Sequence, residues 1–365
     1  MPPRHLPPRL SACLILVAGL ALAQPERPSE AITRYGAGLQ MLRARDMRNA
    51  AIEFEEAVKA DSTYGDAHYA LGKVNIALEE YDKAIASYEA ARRHGVTSEK
   101  ARRTLDAQLA EIYYKSALKA RGLRRYRDAI AAFEKSLELK PGSPKTYYGI
   151  GLSYNSLRET AQARKAFQKA IALDGGFAQA FDALGDIHRQ QREYEQAAEM
   201  YSRAVAADAG FMEAHAGLAR VQMDTDDLEG AVATLGAALE ADPEFAYGYL
   251  LMGTALTHLG RHSDAVAPLR RAVDLDASVA EAHFRLGEAL YGTGQYRPAI
   301  EACQQATRKK RNYHAAQVVL GDAYTKLGQT DDARTWFTKA RTDSRFRDYC
   351  DHQLEELDRQ QSQVQ

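Results

Sequence analysis

Cysteine is almost missing from this chain, with three in 365 residues. So few cannot staple a chain of this length, and its stability must come from packed apolar surface. Proline and glycine, at 11 and 25, are too sparse and too well spaced for a low-complexity or collagen-like segment. An excess of charge is missing as well. The 48 basic residues face 49 acidic ones, which removes the usual compositional argument for a nucleic-acid partner. The one clear uncharged apolar run has 14 residues, short of the roughly 20 needed to span a bilayer. What is present, 45% hydrophobic and 27% charged residues, is the balance of a chain that buries a core.

That run, residues 10–23, follows Arg4 and Arg9 and ends in Ala21-Leu22-Ala23. A positive start, a short apolar core and a small-x-small end read as a secretory signal cleaved after Ala23. The expectation is an exported protein, periplasmic or secreted; the other reading is an uncleaved anchor. Leu10-Ser11-Ala12-Cys13 imitates a lipoprotein box, but its apolar core follows the cysteine instead of preceding it. Without the leader the formal charge is −3 and the cysteines are Cys303 and Cys350. Residues 24–30 read as a linker.

The rest of the chain repeats itself. Ala129, Ala163, Ala197, Ala231, Ala265, Ala299 and Ala333 are each 34 residues apart, as are Ala50 and Ala84. Four residues after each comes Phe54, Tyr88, Phe133, Phe167, Tyr201, Leu235, Leu269, Cys303 or Phe337, and three further on an alanine or Ser136. Those offsets put small, bulky and small side chains on one helical face. Twelve residues before each alanine lies a glycine, Ala117 or Ala219, which admits a crossing helix at short range. A glycine inside a helix costs about 1 kcal/mol, so packing must offset it. Leu259-Gly260-Arg261 and Leu327-Gly328-Gln329 mark turns between paired helices.

This pattern resembles the tetratricopeptide repeat, a helix–turn–helix unit. In that frame the repeats are 31–64, 65–98, 110–143, 144–177, 178–211, 212–245, 246–279, 280–313 and 314–347. The fourth position, a large aromatic in the family, is Tyr113, Tyr147, Phe181 or Tyr249 in some repeats. It is Arg34, His68, His215, His283 or Gln317 in the others. The closing proline survives only as Pro141 and Pro243. The resemblance implies an all-α, right-handed solenoid with a concave groove lined by the first helices. Residues 99–109 stand outside the register, and without Gly or Pro they are expected to lengthen the first helix of the third repeat, with Leu105 buried. Residues 348–365 keep Cys350, Leu354 and Leu357 at helical spacing, which suits a capping helix and tail.

Motifs for catalysis or metal binding do not assemble. Gly151-Leu152-Ser153-Tyr154-Asn155 lacks the second glycine of a nucleophile elbow. Gly292-Thr293-Gly294 lacks the third glycine and the strand of a dinucleotide turn. Asp224, Asp226 and Asp227 open like a calcium loop, but Leu228 and Glu229 break it. His258 and His262 are separated by Gly260 at a helix junction, so they do not share a helical face for zinc. His68, His215 and His283 read as structural. Cys303 and Cys350, nearly two repeats apart, are expected to be free thiols. Arg308-Lys309-Lys310-Arg311 ends a helix, and Arg121, Arg124, Arg125 and Arg127 surround a turn; both read as solvated helix ends. No catalytic residue, metal or cofactor is expected, and no nucleic acid.

In the family, ligand contacts come mainly from positions two, five, nine and twelve of the first helices. Here position five is Tyr35, Tyr69, Tyr114 and Tyr148, with Leu39, Lys73, Leu118 and Leu152 at position nine. The middle repeats turn charged, with Asp182, Asp186, Arg189, Glu213 and Arg220. Later repeats offer Tyr247, Leu250, Phe284, Glu288 and Tyr291. A Lys/Asn/Arg carboxylate clamp is not matched, since only Lys73 and Lys115 stand where it would sit. Aromatic rows on a concave surface suit extended or helical peptides. The other reading has these tyrosines merely packing on the neighbouring second helix. The expected function is a non-catalytic scaffold or adaptor of the envelope or periplasm that holds a protein or peptide. The alternative is a glycan- or peptidoglycan-binding or glycan-processing protein using the same aromatics.

Overall fold

A computed structural model describes residues 27–364. The expected secretory signal, its expected cleavage after Ala23 and Cys13 lie outside the described residues. Among those described there are nineteen α-helices. They run as α1 (Ser29–Arg43), α2 (Met47–Ala60), α3 (Gly65–Ala77), α4 (Tyr81–His94), α5 (Glu99–Gly122) and α6 (Tyr126–Leu139). Then come α7 (Pro144–Ser156), α8 (Thr160–Leu173), α9 (Ala178–Gln190), α10 (Tyr194–Ala207), α11 (Met212–Asp224) and α12 (Leu228–Ala241). The last are α13 (Ala246–His258), α14 (His262–Leu275), α15 (Ala280–Gly292), α16 (Tyr296–Lys309), α17 (His314–Lys326), α18 (Thr330–Ala340) and α19 (Arg347–Val364). Odd-numbered helices up to α17 are the first helices of the repeats. Ser29 and Glu30, expected in a linker, already belong to α1, and the cap starts at Arg347.

The small–large–small pattern does what its spacing implies. Ala50, Phe54 and Ala57 are fully buried on α2, and Ala163, Phe167 and Ala170 on α8. The glycine of the preceding helix makes room for the large ring. A Cβ added to Gly72 would lie 2.2 Å from the Tyr88 ring, and one on Gly151 2.4 Å from Phe167. Starts are set locally. Asp46 accepts from the Asn49 amide at 3.2 Å, and Ser143 caps α7 ahead of Pro144, whose missing N–H costs nothing there.

The turn inside each repeat needs a left-handed residue at its fifteenth position. Gly260, Gly294 and Gly328 supply it in the last three repeats, at φ between 71° and 77°. Arg45, Glu79, Arg124, Arg158, Arg192 and Asp226 hold it in the first six, at φ between 58° and 63°. For a residue with a Cβ this conformation costs about 1–2 kcal/mol.

By internal contacts the chain forms two units, one up to Tyr113 and one from Tyr114. In the first, α1–α4 bury Phe54, Tyr64 and Tyr88. Arg27 is fixed here by a 2.8 Å bond to Asp61 and lies 4.2 Å over the Tyr64 ring. Residues 99–109 form the start of the 24-residue α5, with Leu105 and Leu109 buried. The second unit stacks the end of α5 and α6–α19. Its last pair is closed by α19, which places Cys350 and Leu357 against Ala333, Phe337 and Ala340. Cys303 and Cys350 are both buried and unpaired. No helix among the described residues is long and apolar enough to cross a membrane.

Candidate peptide-binding face

Within the second unit the first helices touch one another in succession, α9 with α11, α11 with α13, α13 with α15 and α15 with α17. Crevices open between second helices instead. One of about 580 Å³ lies between α14 and α16, with Arg270 and Arg308 in its wall. Another of about 540 Å³ lies between α6 and α8, lined by Tyr147, Tyr154 and Lys169. Close first helices and parted second helices make the first-helix face the inner side of this unit's curve.

Each tyrosine at the fifth position is half-buried and leans on the bulky residue of its own second helix. Tyr35 lies 5.7 Å from Phe54 and 5.0 Å from Tyr64, and Tyr69 lies 5.2 Å from Tyr88. In the second unit Tyr114 lies 5.6 Å from Phe133, and Tyr148 lies 5.6 Å from Phe167 and 5.2 Å from Phe177. The tyrosines therefore do pack on the neighbouring second helix, and each ring is only half-buried. The hydroxyls of Tyr35, Tyr69 and Tyr148 have no hydrogen-bond partner among the described residues. Beside them Leu39 and Leu152 are half-buried, Lys73 is exposed and 6.0 Å from the Tyr69 ring centre, and Leu118 is 38% exposed.

The charged residues of the middle repeats gather next to Tyr148. Asp186 accepts from the Tyr201 hydroxyl at 2.7 Å, and Arg189 reaches Asp224 at 3.5 Å. Asp182 has no hydrogen bond or ion pair among the described residues. Burial, with Asp186 and Glu213 nearby, pushes its carboxyl up to about 7. Arg220 is half-buried on the same face. The acids of the imitated calcium loop serve the turn: Asp227 caps α12 by accepting from Gly230 at 3.0 Å, and Asp226 takes the left-handed position. His262 packs its ring against Gly292.

Two expected groove residues are not on the surface. Leu250 and Phe284, 7% and 6% exposed, are core. Leu250 packs with Leu286 and Leu290, and Phe284 meets Tyr313 at a 45° tilt with centroids 4.9 Å apart. Neither has a polar end to keep in water, so both fold inward where the tyrosines stay half out. Tyr247 is 43% exposed, and Tyr291 is half-buried against Tyr296 at 5.6 Å. Glu288 is tied to Arg285 at 2.9 Å, and Arg285 also binds Glu281 at 2.8 Å. A residue not foreseen on this face is Tyr349, 43% exposed, which donates to Asp322 at 2.7 Å, while the buried Tyr313 donates to Glu281. Tyr349 stands at the second position of a tenth frame, a signal the register contained.

A stack of antiparallel helix pairs with this repeated inner face defines a helical-repeat protein of the solenoid class. Models of the tetratricopeptide repeat match residues 35–95, 114–180, 188–253, 250–313 and 284–347. The chain belongs to the tetratricopeptide repeat family. Among solved structures, the APC/C hetero-tetramer Cut9-Hcn1 is similar with a TM-score of 0.50 at 14% identity, over 90% of this chain and 84% of that one. MamA is 28% identical over 43% of this chain and 91% of its own, with a TM-score of 0.40. YrrB, a TPR protein with an unusual peptide-binding site, is 20% identical over 51% of this chain and 95% of its own, at 0.43. No curated protein matches the chain.

Proposed function

We propose that this protein is a non-catalytic scaffold whose inner face holds a peptide segment of a partner protein. The observation that carries this reading is the tyrosine at the fifth position of first helices in each unit. Tyr35 and Tyr69 in one unit, and Tyr148 in the other, present a ring held from behind and a hydroxyl with no internal partner. Rings fixed in this way supply contact area at little entropy cost, and free hydroxyls bond a peptide backbone. The acids beside Tyr148 favour a basic or neutral side chain from the ligand at that point. The Arg4, Arg9 and 10–23 pattern supports export to the envelope, with Gln24 as the mature N-terminus.

The test is crosslinking from Tyr69 and, separately, from Tyr148 in the native host fraction, followed by affinity measurement with the captured segment. Tyr69→Phe with Tyr148→Phe should weaken binding at least fivefold while melting stays unchanged. Unaltered affinity, or binding to a sugar array with no protein ligand, overturns the reading. Edman sequencing that found Met1 on the processed protein would remove the export part alone.

A further inference from the structure

The left-handed turn position is occupied in three consecutive repeats of the second unit by Arg124, Arg158 and Arg192, at φ of 60°, 61° and 60°. Glycine meets the same backbone requirement without strain, and Gly260, Gly294 and Gly328 do so later in this unit. The turn itself therefore does not call for arginine. All three side chains are exposed and none has a hydrogen bond or ion pair among the described residues.

Their surroundings keep them free. The nearby carboxylates are engaged by other cations: Asp128 by Arg125 at 2.7 Å, Glu159 by Arg127, and Glu193 by Arg164 at 3.3 Å and His188 at 2.6 Å. Glu195 is the remaining acid of these turns. Two of those pairs, Arg127–Glu159 and Arg164–Glu193, run from one repeat to the next, so they bind adjacent turns into one ridge. In segments 121–128, 158–164 and 190–195, seven arginines stand against four carboxylates. The ridge ends at the acidic turn of Asp224, Asp226 and Asp227. At its other end Leu123, adjacent to Arg124, is 61% exposed.

We propose that this edge, away from the first-helix face, docks on an anionic phospholipid surface. Guanidinium groups match phosphates in a bidentate way, and a row of them fixed one repeat apart suits a laterally extended array of headgroups. Leu123 favours a bilayer over an acidic protein segment, because a bilayer accepts an apolar side chain below the same headgroups. The proposal does not depend on what the inner face binds.

The test uses the full chain and vesicles of phosphatidylcholine with or without roughly one-third phosphatidylglycerol. Residues 10–23 are common to every variant, so the readout is the preference for anionic vesicles and its change on substitution. Wild type should prefer them at least tenfold, and salt should erode the preference. Arg124→Gly, Arg158→Gly and Arg192→Gly together should reduce it at least fivefold while the melting temperature holds or rises. Leu123→Ser should weaken binding two- to threefold. Should the glycine variant melt early, the matching triple asparagine variant, which also tolerates this conformation, gives the decision. An unchanged preference in the variant, no preference in wild type, or arginine-dependent binding to soluble polyglutamate instead of vesicles overturns the proposal.

Discussion

The ring of Tyr69 meets that of Tyr88 nearly edge-on, with centroids 5.2 Å apart and an interplanar angle of 65°. Tyr88 is 1% exposed, so the half-exposed Tyr69 also steadies the core of its repeat. Tyr69→Ser and Tyr114→Ser would therefore not be silent in stability, as rings lying wholly in a groove would be. Each should cost on the order of 2–3 kcal/mol by chemical denaturation, since half-buried aromatic contact is lost. Tyr69→Phe should stay within about 0.5 kcal/mol of wild type, because its hydroxyl has no internal partner.

Asp182 makes stability depend on pH in an unusual direction. Its carboxyl is pushed up to about 7 in the folded protein against a reference near 3.8. The native state thus holds a proton that the unfolded state releases, and stability falls as pH rises between those values. Above pH 7 the whole penalty is present; near pH 4 it has vanished. Asp182→Asn should raise stability at pH 8 by a few kcal/mol at most and leave it unchanged at pH 4. Urea titrations at the two pH values give the comparison, and equal gains at both would contradict it.

Two glycines of one repeat should respond differently to alanine. Gly294 sits at φ 77° with open space around it, so Gly294→Ala should cost about 1–2 kcal/mol from backbone strain alone. Gly287 has helical geometry, yet a Cβ there would lie 2.3 Å from the Cys303 sulfur and 3.1 Å from the Ala299 carbonyl oxygen. Gly287→Ala should cost about 1–3 kcal/mol through overpacking despite alanine's better helix propensity. Gly287→Ala combined with Cys303→Ala should recover part of that loss, whereas Gly294→Ala combined with Cys303→Ala should add.

Both thiols should be silent in the native protein. Burial pushes Cys303 up, and burial with Asp322 and Asp351 nearby pushes Cys350 up to about 11. Neither forms thiolate at pH 7, and neither is accessible. Titration with a thiol reagent should find Cys303 and Cys350 only after denaturation without reductant. A rapid native reaction would show that α19 detaches readily.

Much of the architecture is legible because its pattern is local. Ala163, Phe167 and Ala170 sit on one helix, and Gly151 on the helix before it, so one window of sequence carries the whole packing unit. The role of the fourth position is not legible in the same way. His68, His215 and His283 bond the carbonyls of Ser62, Ala209 and Ala277 at 2.9–3.1 Å, and Gln317 donates to Arg311 at 3.1 Å. These side chains fasten a first helix to the closing loop of the preceding repeat, a link that composition at one position does not reveal. The inner face is intermediate. Tyr148 and Phe284 share a register position, and each meets the closing aromatic of its repeat, Phe177 or Tyr313, yet only the tyrosine, with a hydroxyl to keep in water, stays half out.

Cys303 occupies a place filled by Phe133, Phe167 and Tyr201 earlier in the second unit, by Leu235 and Leu269 next, and by Phe337 after it. The plug of each helix pair thus dwindles through the middle of this stack and recovers at its end. At Cys303 the space is closed by the backbone instead, since a Cβ on Gly287 would lie 3.1 Å from the Ala299 carbonyl oxygen and 3.3 Å from the Cys303 nitrogen. In a linear array each pair is held by its neighbours, so the close approach of α15 and α16 sets a local spacing that the pairs on either side must follow.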